Sequence, residues 1–228
     1  MDFSGRIRAA VQRFAPATSR EDLLALVMAA AWKGDQGMAA HQLLATSGGA
    51  RSRQSNENMG HGEWQTGGPA DYLWSCWILV LSGRSLHDRD GIPMVDSLWQ
   101  RAFAHQNPQG HLHMLDANTP LDTFTFEELR AIHAAYNIAL VTANPHMMEQ
   151  VRRAVRWHIA NTQPDHTTSE PWALAAFAAL DETGPSPLFA EQQLHVAENM
   201  LTRAGKEHGA VTLALLADAL LTMQGPKE

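Results

Sequence analysis

His111, His113 and Asp116 form the sharpest local group of chemically competent side chains in this sequence. Two imidazoles two residues apart, with a carboxylate nearby, could supply part of a site for zinc or another divalent ion. His166 is a further candidate ligand for such a metal. Histidines also act as acid–base groups near neutral pH, bind ligands directly, or make purely structural hydrogen bonds, and the sequence leaves these roles open.

A glycine-rich segment at 58–68 is the second candidate, because it carries His61, Glu63 and Trp64 among its glycines. Glycine lets a backbone approach a ligand closely, and long glycine-rich loops can be lids or binding loops, although ordinary connections contain glycine too. The spacing of a phosphate-binding loop is absent, so nucleotide binding has little support. We therefore expect these three residues to contact a ligand, or the segment to be a plain connection.

A polar stripe lies within an otherwise apolar helical segment. His133, Tyr136 and Asn137 stand at positions i, i+3 and i+4, so they share one face of the helix. Such a stripe either lines a central cavity or forms a closed hydrogen-bond network, since buried polar groups are normally paired. Trp172 and Trp74, near the starts of two other apolar segments, are predicted to be cavity walls or core residues.

Composition excludes several classes of protein. A formal net charge of -7 argues against a nucleic-acid partner, which a basic surface would normally bind. The single cysteine, Cys76, leaves no disulfide framework and at most one thiolate ligand for a metal. No apolar stretch approaches the roughly 18 residues of a membrane span, and the first residues lack a secretory signal pattern, so we expect a cytoplasmic protein without membrane contact.

Two kinds of helical segment alternate along the chain and would position these residues. Amphipathic segments carry one apolar stripe and are predicted at 3–14, 95–105, 147–159 and 191–203. Segments that are apolar on nearly all faces are predicted to be buried helices at 23–32, 72–81, 131–143, 173–180 and 210–221. Alanine and leucine dominate these runs, which favours helix over buried strand.

The buried segments share a start signal. A hydroxyl-x-x-Glu pattern, typical of a capping box, precedes three of them, and Asp71 holds a comparable place before a fourth. The three patterns lie at 18–21, 125–128 and 167–170. These acidic marks recur at roughly 45 residues, a spacing found in helical repeat proteins. The sequence therefore predicts a single all-α domain over 1–228 with about five outer/inner helix pairs, in a closed or partly closed ring or in an open solenoid.

Two stretches resemble a known superfamily. Residues 99–110, followed by the helix from Glu128, and residues 155–165, followed by the helix from Glu170, resemble the α/α-toroid superfamily of terpenoid cyclases and protein prenyltransferase β subunits. Those families similarly end an outer helix in a Gln- and Gly-containing turn that leads to an inner helix. The resemblance implies the fold and no activity, because the cyclase acid motif is not matched at 87–91 and Cys76 lacks recognisable zinc-binding partners.

In such a ring, every connection from an outer to an inner helix lies at one end, which we call the mouth. The longest connections, 46–69, 105–125 and 161–169, belong to this set, and long loops are often functional. The leading hypothesis is therefore a domain that binds a small molecule or peptide at the mouth. The alternatives are a metal-assisted enzyme that uses His111, His113 and Asp116 with His61 or His166, and a helical scaffold for a protein partner.

Overall fold

The structure is a computed structural model that describes residues 3–14, 68–81, 91–104, 106–113, 119–164, 170–183, 186–208 and 210–224. These residues form eight α-helices, and no strand occurs among them. The helices are α1 (Phe3–Phe14), α2 (Pro69–Leu81), α3 (Gly91–Phe103), α4 (Leu121–Thr142), α5 (Pro145–Asn161), α6 (Leu174–Leu180), α7 (Leu188–His208) and α8 (Ala210–Gln224). The all-α prediction is confirmed.

The predicted alternation of helix types holds for these helices. In α4 every residue from 128 to 139 is buried, and in α8 every residue from 212 to 219 is buried. In α5 only one stripe is buried: Met147, Val151, Ala154, Val155 and His158. Met148 and Ile159 continue the apolar spacing of Val151 and Val155 in the segment predicted at 147–159, but both are half-buried, because the buried face is centred about one residue earlier.

The buried helices contact one another in chain order. Helix α2 packs against α4, α4 packs against α6, and α6 packs against α8. The amphipathic helices lie beside them: α3 contacts α2, α5 contacts α4 and α6, α7 contacts α6 and α8, and α1 contacts α7 and α8. One hydrophobic cluster takes residues from all eight helices.

Helix α4 starts earlier than the sequence predicted. It begins at Leu121 after Pro120, so the expected capping box at Thr125 and Glu128 is wrong, and both residues lie inside the helix. The acidic mark of α2 is confirmed, because Asp71 accepts the backbone N–H of Gly68 at 3.1 Å in the first turn. The other two predicted boxes include residues outside those described.

No helix in the described part of the chain is both long and apolar enough to cross a membrane.

Candidate functional site

The segment 106–113 is a folded turn that precedes α4. The backbone N–H of Asn107 donates to the carbonyl of His111 at 2.9 Å, and the amide of Gln106 donates to Gly110 and to Gln150 of α5. Gly110 has φ +128, and a Cβ there would overlap the backbone carbonyl oxygen of Arg153. Only glycine tolerates both constraints, so this turn is pinned closely to α5.

Glu128 of α4 organises the end of this turn. Its side chain is fully buried, and both carboxylate oxygens accept the backbone N–H of Leu112 at 2.9 Å. One oxygen, Oε1, also accepts the backbone N–H of His113 and lies 2.6 Å from Nδ1 of the His113 ring. A carboxylate that would have capped its own helix instead holds two residues of a distant turn.

A second histidine contacts the same carboxylate from α5. Nε2 of His158 lies 3.3 Å from Oε2 of Glu128, and its Nδ1 lies 2.8 Å from the hydroxyl of Thr162. The carboxylate can only accept, so Nε2 of His158 carries the hydrogen and Nδ1 accepts from the Thr162 hydroxyl. Because His158 is fully buried, this contact ties the end of α5 to α4 inside the protein.

Glu128 is ionised in the folded chain at all but very acid pH. Burial alone would raise its pKa, but hydrogen bonds from His113 and His158, and the positive charge that these rings can carry, together lower the pKa to about 2. A buried carboxylate needs such partners to remain charged. Glu128 therefore presents a full negative charge to the two histidines at neutral pH.

The same hydrogen bonds define which ring nitrogens carry hydrogens. His113 donates from Nδ1 to Glu128, so its neutral ring has an unprotonated Nε2. Among the residues that the structure describes, none bonds to this Nε2. His111 likewise donates from Nδ1, to the carbonyl of His113 at 2.8 Å, and its ring packs edge-on against Phe124 and Trp157.

Nε2 of His113 faces the start of another helix. A Cβ placed on Gly68, directly before α2, would lie 3.5 Å from this nitrogen. The His113 side chain is 16% exposed, whereas Glu128 behind it is 0% exposed. Gly68 thus lies beside His113, and Thr162 bonds to His158, the two histidines that contact Glu128. Gly68, the turn at 106–113 and Thr162 belong to the three long connections that the sequence predicts at one end.

The polar stripe of α4 is part of a hydrogen-bond network. His133 accepts the backbone N–H of Ala173 at Nδ1, and Asn137 donates to the carbonyl of His133 and accepts from Thr222 of α8. Nε2 of His133 lies 3.1 Å from Asp218 but is not aligned for a hydrogen bond with it. His133 and Asn137 therefore join α4 to α6 and α8, while Tyr136 lines a separate cavity.

Trp172 is a core residue. It is 1% exposed, its ring meets those of Trp74 and His133 edge-on, and its Nε1 donates to Glu170 at 2.8 Å. Trp74 is fully buried, and its ring stacks on His133. Of the two predicted alternatives, cavity wall or core residue, both tryptophans are core residues.

The predicted metal site is only partly within the described residues. His111 and His113 lie there, and the other predicted ligands, Asp116 and His166, lie outside, as do His61, Glu63 and Trp64. Within the described ranges, no three His, Cys, Asp or Glu residues are arranged to hold a metal. Glu128 contacts its histidines directly at hydrogen-bond distances, which leaves no room for a cation between them.

The sequence interpretation missed Glu128, His158, Thr162 and Gly68 as site residues. His158 did leave a signal, because it continues the apolar stripe of α5 three residues after Val155, where a polar side chain needs a buried partner. The sequence around Glu128 carries no signal that distinguishes a carboxylate capping its own helix from one that accepts hydrogen bonds from a distant segment.

The arrangement supports three kinds of chemistry at Nε2 of His113. This nitrogen can accept a hydrogen bond from a ligand, take a proton as a general base, or coordinate a metal, while Glu128 orients the ring and stabilises its protonated form. The chain matches no protein-family model, no curated protein and no solved structure. Its function is therefore inferred from the geometry around Glu128.

Proposed function

We propose that this chain binds a small molecule or peptide at the mouth where its long connections meet. The observation that carries the proposal is the His113 ring, which is held through Nδ1 by the buried, ionised Glu128, while no described residue bonds to its Nε2 and its side chain is 16% exposed. A ring held in this way loses little freedom when it accepts a hydrogen bond. The expected ligand therefore carries an O–H or N–H donor.

The helix contacts support a ring of helix pairs around this site. Four buried helices, α2, α4, α6 and α8, contact one another in chain order, and α1 lies against the last pair, α7 and α8. A contact between the first and last described helices is expected of a ring and not of an open solenoid. We therefore retain an α/α-toroid-like arrangement of about five pairs as part of the proposal, together with a cytoplasmic location.

The binding proposal is tested with a fragment library of soluble compounds that carry hydroxyl or amide N–H groups. Compounds are added to isotope-labelled protein, and the NMR signals of His113, Gly68 and Leu112 are followed. His113→Gln removes the imidazole, and His146→Gln changes an exposed histidine at the start of α5 as the matched control. Circular dichroism confirms that both variants keep the helical content of the wild type.

We expect some fragments to shift these three signals in the wild type and in His146→Gln, and to leave the signals of Gly68 and Leu112 unshifted in His113→Gln. If no fragment perturbs the site, or if binding persists in His113→Gln, the proposal fails.

A metal-assisted enzyme is the second candidate, and one specific observation favours it. Metal-binding histidines usually donate their other ring N–H to a carboxylate or carbonyl, and both His113 and His111 do so. His111 and His113 would then contribute Nε2 ligands, with Asp116 and His61 or His166 as the remaining predicted partners. A bound zinc ion would activate a water molecule for attack on a substrate.

Cobalt titration tests the metal candidate directly. Tetrahedral Co²⁺ absorbs visible light, so its binding is measured without a known substrate. The candidate requires absorbance that saturates near one equivalent in the wild type and His146→Gln and is lost in His113→Gln. An unchanged spectrum in all three proteins would leave ligand binding without a metal as the function of the site.

A further inference from the structure

A cavity of about 380 Å³ lies between α1, α4, α6 and α8. Its lining residues are Phe3, Ser4, Tyr136, Leu140, Ala178, Ala179, Pro187, Thr222 and Met223. Tyr136 follows Glu128 by eight residues on α4, which corresponds to about 12 Å along the helix axis. The cavity is therefore distinct from the mouth site and lies towards the opposite end of α4.

The lining of this cavity carries no charged side chain. Its surface combines aromatic and aliphatic groups with the hydroxyls of Ser4, Tyr136 and Thr222. The Thr222 hydroxyl already donates to Asn137, so it offers a ligand only its acceptor lone pairs. The cavity is open to solvent on one side, so a charged ligand would lose part of its hydration here without gaining a counter-charge, which is unfavourable.

Tyr136 supplies a hydrogen-bond donor to this cavity. The residue is only 7% exposed, and no residue in the described part of the chain bonds to its hydroxyl. That hydroxyl is not among the buried side-chain atoms that lack a partner, so it is accessible at the cavity surface and open to a ligand. Burial also raises the pKa of Tyr136, so the phenol keeps its hydrogen and can donate it at neutral pH.

The rim of the cavity is apolar as well. Leu140, which lines the cavity, is 41% exposed, and its neighbour Val141 is 47% exposed. Leu188 follows the lining residue Pro187 and is 57% exposed. Large aliphatic groups exposed together beside a cavity favour an apolar ligand that covers them.

We propose that this cavity is a second binding site, for an uncharged and mainly apolar small molecule that accepts a hydrogen bond from the Tyr136 hydroxyl. The volume lies within the range of small-molecule pockets. The matching ligand is a compact ring compound or short branched alcohol or ketone. This site does not depend on the function proposed for the mouth.

The probe pair 2-naphthol and 2-naphthoate tests the site, because the two share a bicyclic ring and differ in charge. Binding is measured by calorimetry and located by NMR on the full chain. Ala179→Trp fills the cavity from an exposed lining position, and Tyr136→Phe removes only the hydroxyl. Ala160→Trp, at an exposed alanine of α5, is the matched control.

We expect 2-naphthol to shift the signals of Tyr136, Ala178 and Met223, and 2-naphthoate to bind at least about tenfold more weakly. Affinity for 2-naphthol should fall about fivefold in Tyr136→Phe, as for one neutral hydrogen bond, and further in Ala179→Trp. Ala160→Trp should bind as the wild type does.

Three results would overturn this proposal. The first is the absence of 2-naphthol binding, and the second is undiminished binding in Ala179→Trp with signals shifted elsewhere. The third is a shift of the cavity signals with protein concentration in the absence of the probe, because a second copy of the chain would then cover the cavity.

Discussion

Replacing Glu128 with glutamine should destabilise the chain far more than any exposed carboxylate does. Glutamine keeps the shape of the side chain but removes the charge, and its NH₂ group must face one of the donors on Leu112, His113 or His158. Two hydrogen-bond donors then face each other at a fully buried position, and neither has an acceptor.

The magnitude follows from the pKa of Glu128. A value of about 2 in the folded chain, against an ordinary 4.5, corresponds to roughly 3 kcal/mol in favour of the folded, ionised form. Because the folded pKa is the lower one, this contribution is complete above the ordinary pKa and is lost as the pH falls towards 2. At pH 3 only about 1 kcal/mol of it remains.

Urea unfolding followed by circular dichroism, at pH 7 and pH 3, measures both effects. Glu128→Gln should lower the free energy of unfolding by roughly 3 kcal/mol at pH 7, and the difference from the wild type should shrink at pH 3. The control is Glu149→Gln, whose side chain is 56% exposed in a surface ion pair, so that its effect should stay within about 0.5 kcal/mol. A loss below about 1 kcal/mol at pH 7, or a difference that does not change with pH, would show that the buried charge of Glu128 does not stabilise the fold in this way.

Three further predictions use the same unfolding assay or simple labelling. Gly110→Ala should cost about 2 kcal/mol or more, because its φ is +128 and the new Cβ would overlap the backbone of Arg153; a near-neutral result would contradict this geometry. Asn144→Ala should cost about 1 kcal/mol, since the Asn144 side chain accepts two backbone N–H groups at the start of α5; an unchanged midpoint would show that this cap contributes nothing. Burial raises the pKa of Cys76 to about 12, so iodoacetamide at pH 8 should label it only after unfolding, and rapid labelling of the folded chain would contradict its burial.

Helix type was predictable because it depends on local periodicity. The amphipathic segments predicted at 95–105 and 191–203 carry apolar stripes through Leu98 and Ala102, and through Leu194, Ala197 and Leu201, and all five residues are buried. A stripe in the sequence determines which face of a helix avoids water, even when the neighbouring helix is unknown. The packing order of α2, α4, α6 and α8 did not follow from it, since a stripe does not identify its partner.

The role of Glu128 was not predictable from its surroundings in the sequence. A glutamate three residues after Thr125 fits a helix cap, and the pattern does not distinguish its own backbone from the backbone of a distant turn. The actual acceptor role depends on Gly110, which lets the turn approach α5 and delivers Leu112 and His113 to the carboxylate. The hydrogen bonds of Glu128 therefore depend on α4, α5 and the turn at 106–113 together.

The histidine pair shows the same limit at the candidate site. His111 and His113 are two residues apart, a spacing that left metal binding, ligand binding and a structural role open, and it did not predict that their Nδ1 atoms donate to different acceptors. The Glu128 carboxylate behind His113 sets the orientation of the His113 ring, and the spacing of residues in the sequence does not reveal this contact.

The proposed site depends most directly on which nitrogen of the His113 ring carries its hydrogen. Long-range ¹H–¹⁵N NMR of histidine-labelled protein, at a pH where the ring is neutral, reports which ring nitrogen is protonated. We predict a hydrogen on Nδ1, facing Glu128, and an unprotonated Nε2 that is open to ligands at the mouth. A hydrogen on Nε2 instead would mean that Glu128 does not hold the ring in this way, and it would contradict the proposed site.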